Sequence, residues 1–373
     1  MQQLFTQIDQ VWLSLSEVRL TMTTSSAAIR CTFSTIVKNL LQRSGNSISL
    51  DITKKQENSL NIGKLIQSIR SIDRVYEASL SRQLAADLPP DIEETSLKDE
   101  PKDWFIKTAD YGDECDRVLQ HRDGEYTQLL EDIAYYHQIF QQGYDKIILI
   151  RPPIYTGYDI QLTAAMQAVG YTKEQFHFII VQPIKLYAFH IPTQQVHPIP
   201  DIATEELIQA IGMDALRWHS LRVPLTSPAP INISTAGQTT PADSLYCVQS
   251  AHVRCCTLLH QAHQQGIIQL DTRIPDNWQI TPSPIPVTES SWDSPHAQTL
   301  VTQLQAVPKI LQQSATEVAP HLLCQHLEAI SDTCHQWCNS LVPTAQDCAL
   351  LLAIKQTLFD VLENILSITA PDG

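Results

Sequence analysis

The spacing of apolar residues changes along this chain near residue 200. Between residues 103 and 200, short apolar runs alternate with amphipathic stretches, which predicts strands and helices in turn. The predicted elements are helix 127–142, strand 146–150, helix 160–169 and strand 176–181. Gly143 and Gly170 follow the two helices, where a left-handed residue commonly ends a helix. This part of the chain is therefore predicted to be a strand-helix-strand unit with a parallel sheet.

After residue 200 the apolar residues recur at helical spacing. Helix 205–221 is predicted with Leu207, Ile211 and Leu216 on one face and basic residues at its end. Four further helices are predicted at 243–265, 296–313, 319–341 and 345–368. The proline-rich connection 271–296 is longer than an ordinary bundle loop. The pattern predicts a helix bundle with a flexible excursion near 271–295.

The beginning of the chain is less regular. Residues 1–86 mix apolar stretches with a polar interval, and 76–85 has the spacing of an amphipathic helix. Residues 87–102 are acidic and contain three prolines, which indicates a linker. The unit 103–200 is too small to cover both faces of a complete sheet, so the N-terminal unit of uncertain fold is a candidate for completing it. The predicted domains are 1–86, 87–102, 103–200 and 201–373.

Composition indicates a soluble, intracellular chain. It has 373 residues, no apolar run of membrane-spanning length, and nine scattered cysteines, which are typical of reduced thiols in a cytoplasmic protein. The first nine residues lack the basic and apolar regions of a signal peptide. We therefore expect no membrane partner.

The net charge of −15 is unevenly distributed. Residues 1–85 carry ten Lys or Arg against six Asp or Glu, and residues 201–373 carry six against sixteen. An acidic bundle counts against tight nucleic-acid binding, because such binding depends on neutralised phosphates. A local patch of Arg217, Arg222 and Arg254 could still bind RNA, and no DNA partner is expected.

Several motifs carry a family resemblance. Gly212 precedes the tetrapeptide Asp214, Ala215, Leu216 and Arg217, and further matches follow in order. They read YCVQSAHVR at 246–254, PHL at 320–322 and LSITAP at 366–371, with GDE at 112–114, DRVL at 116–119, DG at 123–124 and DIAY at 132–135 upstream. Together these motifs resemble the arginyl-tRNA synthetase family over about residues 104–373. The resemblance implies a mixed α/β and α fold: a partial Rossmann-type α/β remnant followed by an all-α DALR anticodon-binding helix bundle.

The motifs for catalysis do not match the family. The resemblance implies a His-x-Gly-His turn early in the nucleotide-binding fold, yet the first histidine is His121. It also implies a Lys-Met-Ser-Lys loop near 191–200, where this chain reads IPTQQVHPIP, and no lysine occurs between Lys185 and Lys309. Where the family carries Gly-Ala-Asp-His-His-Gly, residues 152–157 read PPIYTG. Adenylate formation needs preorganised donors and cations, so no catalytic residue and no cofactor is predicted.

The resemblance implies binding of tRNA, with tRNA-Arg as the candidate, or of a tRNA-handling protein. Aromatic side chains that stack on bases and cations that meet phosphates are the expected contacts. The candidates are Arg217, Trp218, Arg222, Tyr246, Arg254 and Trp337. For Arg217 an alternative stays open, in which it and Asp214 fix the helix against its neighbour. A protein-interaction module without RNA binding, and an active or split arginine-tRNA ligase with replaced motifs, are the alternative functions.

Two other groups of residues are candidates for binding. The resemblance places Asp132, Tyr135 and Tyr136 in a remnant of the amino-acid pocket, although packing alone also explains them. Cys334, His335 and Cys338 share part of a helix but lack a second pair at metal-site spacing. We expect buried thiols there and no metal.

Overall fold

The structure is a computed structural model, and it describes most of the chain after residue 101. The described ranges are 10–14, 26–43, 47–51, 73–78, 102–190, 195–200, 202–274, 278–281, 294–339 and 341–372, together with residues 62, 65, 66 and 69. The chain divides into two compact units, one made of 8–18 and 47–180 and the other of 1–7, 19–46 and 181–373. The predicted linker 87–102 lies outside the described residues except for Lys102.

Strands and α-helices account for most of the described residues. The strands are β1 (Gln10–Ser14), β2 (Ser47–Asp51), β3 (Val75–Ala78), β4 (Asp103–Ile106), β5 (Arg117–Gln120), β6 (Lys146–Arg151), β7 (Phe176–Ile180), β8 (Ile184–His190), β9 (Gln195–Pro198), β10 (Ala229–Asn232), β11 (Gln269–Asp271) and β12 (Gln279–Thr281). The helices are α1 (Ser26–Arg43), α2 (Gln128–Gln141), α3 (Thr156–Ala168), α4 (Thr204–Ile211), α5 (Met213–Leu221), α6 (Ser244–Gln264), α7 (Pro295–Glu317), α8 (His321–Cys338) and α9 (Ala345–Phe359). A π-helical turn, Asp360–Ile365, follows α9.

The first unit is built on a parallel sheet of order β2-β1-β6-β7. Strand β6 is buried along almost all of its length, as expected for a parallel strand covered on both faces. Helices α2 and α3 supply Leu130, Ile133, Leu162 and Met166 to the same apolar core. Strands β1 and β2 come from the N-terminal segment whose fold the sequence left uncertain, and β1 pairs in register with β6 from Val11 to Ser14.

A smaller antiparallel sheet, β3-β4-β5, completes the described part of this unit. Val75 pairs with Ile106, and the ring of Tyr76 stacks on Phe105 at 5.7 Å between centroids. The predicted helix 76–85 is wrong at its start, because residues 75–78 form strand β3. Residues 79–85 lie outside the described part of the chain.

The second unit is mainly helical. Helix α6 packs against α8 and α9, and α7 packs against α8. Helix α1 belongs to this unit and packs against α7 and the π-helical turn. Local sequence explains the helix starts: the Asp243 carboxylate accepts the Leu245 N–H, and Thr344 and Asp347 form a capping box at α9. The predicted mixed α/β region followed by a helical C-terminal region is confirmed.

The helical region differs from its sequence-based prediction in three respects. Gly212, with φ of 82°, divides the predicted helix 205–221 into α4 and α5. The unit also contains the sheet β10-β8-β9, so it is not purely helical. Part of the predicted excursion is ordered, because β11 pairs with β12 and the Trp278 side chain is buried.

Gly237 explains how the connection after α5 folds. Its φ is 74°, and a β-carbon there would lie 2.1 Å from the carbonyl oxygen of Ile211. The Gly237 N–H also donates to Asp243 Oδ2 at 2.8 Å. Only glycine combines this backbone conformation with such a close approach. The connection is thereby held at the N-terminus of α6.

Within the described residues, no helix combines the length and apolar character that a membrane crossing requires.

Candidate functional site

The DALR residues lie on α5, where they hold a distant segment of the chain. We call residues 366–372 the C-terminal segment. The Arg217 guanidinium donates to the Ser367 carbonyl oxygen, and Asp214 Oδ2 accepts the Thr369 N–H at 3.0 Å. Arg217 and Asp214 also form an ion pair of 3.7 Å. Ala215 and Leu216 are buried in the bundle. Of the two open interpretations of the motif, the contacts favour the one in which it fixes the helix against its neighbour.

Helix α6 and helix α1 add further contacts to the C-terminal segment. Gln249 Nε2 donates to the Thr369 carbonyl oxygen at 2.7 Å, and His252 Nδ1 lies 2.8 Å from the Pro371 carbonyl oxygen. Asn39 Nδ2 donates to Ser367 Oγ at 3.3 Å. Burial lowers the pKa of His252, so this imidazole is neutral at pH 7 and its Nδ1–H donates to the carbonyl. Helix α6, which carries most of the motif at 246–254, is therefore hydrogen-bonded to the C-terminal segment, which carries the motif at 366–371.

The predicted RNA-binding residues have unequal access to solvent. The indoles of Trp218 and Trp337, proposed for base stacking, are buried at 0% and 5% exposure. Trp218 Nε1 donates to Ser244 Oγ at 2.9 Å, which explains how the indole is accommodated in the core. Both tryptophans are therefore unavailable for stacking. Tyr246 is half-buried and remains accessible.

The arginine candidates are already engaged in contacts within the chain. Arg222 Nε lies 2.6 Å from Glu328 Oε1, and Arg254 Nη2 donates to the Cys338 carbonyl oxygen at 2.8 Å. Five of the six Lys and Arg side chains in residues 201–373 contact other groups of the chain or are buried. They are Arg217, Arg222, Arg254, Arg273, which pairs with Asp271, and Lys355, which lies against Trp278 and Phe359. The bundle consequently offers little free positive charge to a phosphate backbone.

Two grooves meet at Tyr246. One, of about 660 Å³, runs along α6 and α8 and is lined by Tyr246, Arg254 and His335 among others. The other, of about 380 Å³, lies between the DALR residues and the N-terminus of α6, with Asp214, Gly237 and Gln249 in its wall. Tyr246 contributes to both walls. An aromatic ring between two grooves that contain both apolar and polar groups is suited to a flat ligand that also offers hydrogen-bonding edges.

The predicted amino-acid pocket lies in the first unit, where Asp132 and Tyr136 surround Arg151, a residue that belongs to none of the motifs. Arg151, at the end of β6, pairs with Asp159 of α3 at 2.6 Å between Nη1 and Oδ1. Its Nη2 donates to the Tyr136 hydroxyl at 3.3 Å. Asp132 Oδ2 accepts from the Tyr158 hydroxyl at 2.5 Å. The buried guanidinium of Arg151 thus occupies this cluster of carboxylates and phenols.

Electrostatics in the Arg151 cluster follow from burial. Burial raises the pKa of Asp159 to about 6 even though Arg151 opposes the shift. One carboxylate oxygen, Oδ2, is buried without a hydrogen-bond partner, which explains why the ionised form is poorly stabilised. Burial also raises the pKa of Tyr136 and of Tyr158, so both hydroxyls stay protonated. Tyr135 is only partly buried and contacts the Tyr136 ring edge-on at 5.0 Å.

Two groups of side chains have the composition of metal ligands, and the first surrounds Cys334. His335 Nε2 lies 2.9 Å from the Cys247 carbonyl oxygen, whereas Cys334 Sγ lies 3.7 Å from Cys255 Sγ and 3.8 Å from Cys338 Sγ. The contact with Cys255, together with burial, raises the pKa of Cys334. The thiol therefore stays protonated and is not a thiolate ligand for a metal.

The second group lies beside the C-terminal segment. In the described part of the chain, His252, Cys256 and Asp372 bring three donor atoms within 4.8 Å of one another. The His252 Nδ1–H is already bonded to Pro371, and the positive charge of Lys355 lowers the pKa of His252 in addition to burial. Both features disfavour a cation.

The fold and the bundle motifs resemble the architecture of a class I aminoacyl-tRNA synthetase, with a parallel-sheet unit followed by a DALR-like helical region. A sequence model of the DALR anticodon binding domain matches residues 248–372. This match and the relatives described below support membership of the arginyl-tRNA synthetase family.

Similar proteins support the assignment. The chain is 28% identical over 290 residues to an arginine--tRNA ligase of Synechococcus sp. (strain JA-3-3Ab), covering 72% of this chain and 47% of that protein. It is 28% identical over 278 residues to the arginine--tRNA ligase of Oceanobacillus iheyensis, with 72% and 47% coverage. The chain therefore spans about half the length of the curated relatives it matches. The arginyl-tRNA synthetase structure of Thermus thermophilus shares the fold, with a TM-score of 0.68, 11% identity, and 98% and 82% coverage.

Proposed function

We propose that this chain is a noncatalytic relative of arginyl-tRNA synthetase that binds tRNA as an accessory or regulatory factor in the cytoplasm. The observation that carries the noncatalytic part is the position of Arg151. Its guanidinium pairs with Asp159 and bonds to Tyr136, so the chain's own side chain fills the space between these residues. A free arginine cannot take the same position at the same time.

The sequence around the sheet supports the same proposal. The connection between β1 and α1, residues 15–25, contains no histidine, although the family resemblance expects its His-x-Gly-His turn early in this fold. The expected Lys-Met-Ser-Lys loop falls on residues 191–200, which include β9, and these residues contain no lysine. Without these groups the charge that develops on the α-phosphate has no matched donors.

The tRNA-binding part of the proposal rests on residues 248–372, which match the DALR anticodon binding domain. Tyr246 is the candidate for base stacking, because it is accessible and lines both grooves. Arg254 lies on the same helix and is exposed even though its Nη2 donates to the Cys338 carbonyl oxygen, so it is the candidate phosphate contact. This surface predicts recognition of an unpaired loop, with stacking contributing more than charge.

The number of engaged basic side chains favours a second candidate function. Five of the six cations in residues 201–373 contact other groups of the chain or are buried, and the same residues carry sixteen Asp or Glu. A surface of this charge is better suited to a basic protein partner than to a polyanion. The second candidate is therefore a protein-interaction module, with a tRNA-handling protein as its partner.

One experiment separates these functions. Purified protein is titrated with tRNA-Arg and with an unrelated tRNA over a salt series, and the same sample is assayed for aminoacylation. Selective binding that weakens with salt, without charging, is the expected result. Absence of binding to either tRNA would leave the protein-interaction module, and measurable charging would establish the third alternative, an active ligase with replaced motifs.

A further inference from the structure

The carbonyl oxygen of Cys247, near the start of α6, joins this helix to α8. Ser331 Oγ of α8 donates to it at 2.7 Å, and His335 Nε2, one turn further along α8, lies 2.9 Å away. Ser250 Oγ of α6 donates to the same oxygen at 3.0 Å. Because a carbonyl oxygen only accepts, His335 Nε2 carries a hydrogen. One backbone carbonyl of α6 thus accepts hydrogen bonds from three side chains.

These contacts adjoin Tyr246, the residue proposed to stack on an unpaired base. Tyr246 directly precedes Cys247 and lies in the first turn of α6, where the leading N–H groups of a helix lack intrahelical acceptors and the turn can fray. The bonds from α8 fix the carbonyl of the following residue. Trp218 Nε1 donates to Ser244 Oγ at 2.9 Å and fixes the beginning of the turn. The turn is therefore held on both sides of Tyr246.

We infer that Ser331 and His335 are positioning residues, which hold Tyr246 ready to stack on a base by bonding to the Cys247 carbonyl. Stacking on a ring that is already ordered avoids the entropic cost of fixing it on binding. His335 lines the larger groove, whereas Ser331 is fully buried. An effect of Ser331 on RNA affinity can therefore only be transmitted through its neighbours. The inference rests on the proposed function, in which Tyr246 contacts RNA.

The affinity of the full chain for tRNA-Arg at fixed salt tests the inference. Ser331→Ala and His335→Ala should each weaken binding about 2- to 10-fold, the range that one net hydrogen bond supports. In a Tyr246→Ala background the same changes should alter the affinity by less than about 2-fold, because the ring through which they act is gone. His335→Gln keeps an N–H donor at a similar reach and should restore most of the affinity.

His326 provides a matched control on α8. Its Nε2 lies 2.8 Å from the Gln303 carbonyl oxygen, so it makes the same kind of contact but towards α7. His326→Ala should lower the unfolding temperature about as much as His335→Ala does, yet leave the tRNA affinity unchanged. If His335 only stabilised the bundle, the affinity would follow the stability in all of these variants, His326→Ala included.

Amide hydrogen exchange tests the positioning without RNA. Residues 244–251 should exchange faster in Ser331→Ala and His335→Ala than in the unmodified protein, and His326→Ala should leave their exchange unchanged. Unchanged exchange in the first two variants, normal tRNA affinity of both, or equal losses of affinity with and without Tyr246 would overturn the inference. If the unmodified protein binds no tRNA, the proposed function fails, and exchange at 244–251 then decides whether the two α8 residues order the turn that carries Tyr246.

Discussion

The Arg217 guanidinium of the DALR motif donates a hydrogen bond to the backbone carbonyl of Ser367, 150 positions further along the chain. Asp214 of the same motif accepts the Thr369 N–H. A short stretch of α5 therefore satisfies one backbone acceptor and one backbone donor of the C-terminal segment. Because unsatisfied polar groups are costly in a bundle, this relationship gives the motif a structural role that does not require RNA.

Arg217→Met tests that role. The variant keeps most of the apolar stem but removes the donor, so we expect the free energy of unfolding to fall by about 1.5–3 kcal/mol, as for a hydrogen bond to a charged group. Chemical denaturation measures it. Arg222→Met is the matched control, because the Arg222 and Glu328 pair is partly exposed and should contribute about 1 kcal/mol or less. Unchanged stability together with weakened tRNA binding would instead support a direct phosphate contact.

Ser367 itself has an uncommon backbone conformation. Its φ is 54°, in the left-handed region where a β-carbon is unfavourable. Ser367→Gly and Ser367→Ala both lose the hydroxyl that Asn39 contacts, so their difference isolates the backbone effect. We expect the glycine variant to be more stable than the alanine variant by about 1 kcal/mol.

A control for this comparison is available on α6. Thr257 is an exposed helical residue, and there glycine should be less stable than alanine by about 1 kcal/mol. The same order at both positions, measured by denaturant unfolding, would contradict the left-handed conformation of Ser367.

The pKa of Asp159 predicts a pH dependence of stability. Its value of about 6 in the folded protein lies above the value of about 3.9 expected in the unfolded chain. The folded protein therefore binds this proton more tightly, and the contribution to stability is greatest below about pH 4. It declines as the pH rises through about 6 and is constant above that. The decline amounts to roughly 2–3 kcal/mol.

Asp159→Asn removes this titration. The difference in unfolding free energy between the unmodified protein and the variant should change by that amount between pH 4 and pH 7, in the direction that disfavours the unmodified protein at higher pH. Parallel stability curves for the two proteins over this range would show that Asp159 has an ordinary pKa.

The long helices were predictable from sequence because apolar spacing and capping residues agree at their ends. Helix α6 begins next to Asp243 and α2 next to Thr127, each with a side chain that caps the first turn. Strand β6 was predictable as a continuous apolar run. These signals are local, and no tertiary information is needed to read them.

The elements that escaped prediction depend on distant partners. Strands β8 and β10 pair in parallel although their paired residues, such as Ile184 and Ala229, are 45 positions apart, and Pro230 within β10 weakens any local strand signal. Trp218 was predicted to stack on a base, because its hydrogen-bond partner Ser244 lies on another helix and the contact cannot be read from local sequence.

Arg151 was missed because its cluster gathers side chains from α2, β6 and α3, which adjoin only after folding. Tyr158 and Asp159 directly follow Gly157, the one residue of PPIYTG that matches the family. This proximity to a degenerate motif was the available signal.

The accessible Tyr246 leads to the prediction that tests the proposed RNA surface. Tyr246→Ala should lower the affinity for tRNA-Arg about 5- to 150-fold, the range of one lost stacking contact, while the salt dependence of binding stays the same because no phosphate contact is removed. Tyr246→Phe keeps the ring and should bind normally. Tyr126→Ala, at a 42% exposed tyrosine of the first unit, controls for a general loss of aromatic surface. Equal affinities of Tyr246→Ala and the unmodified protein, measured by a binding titration at fixed salt, would exclude the grooves beside Tyr246 as the RNA site and favour a protein partner.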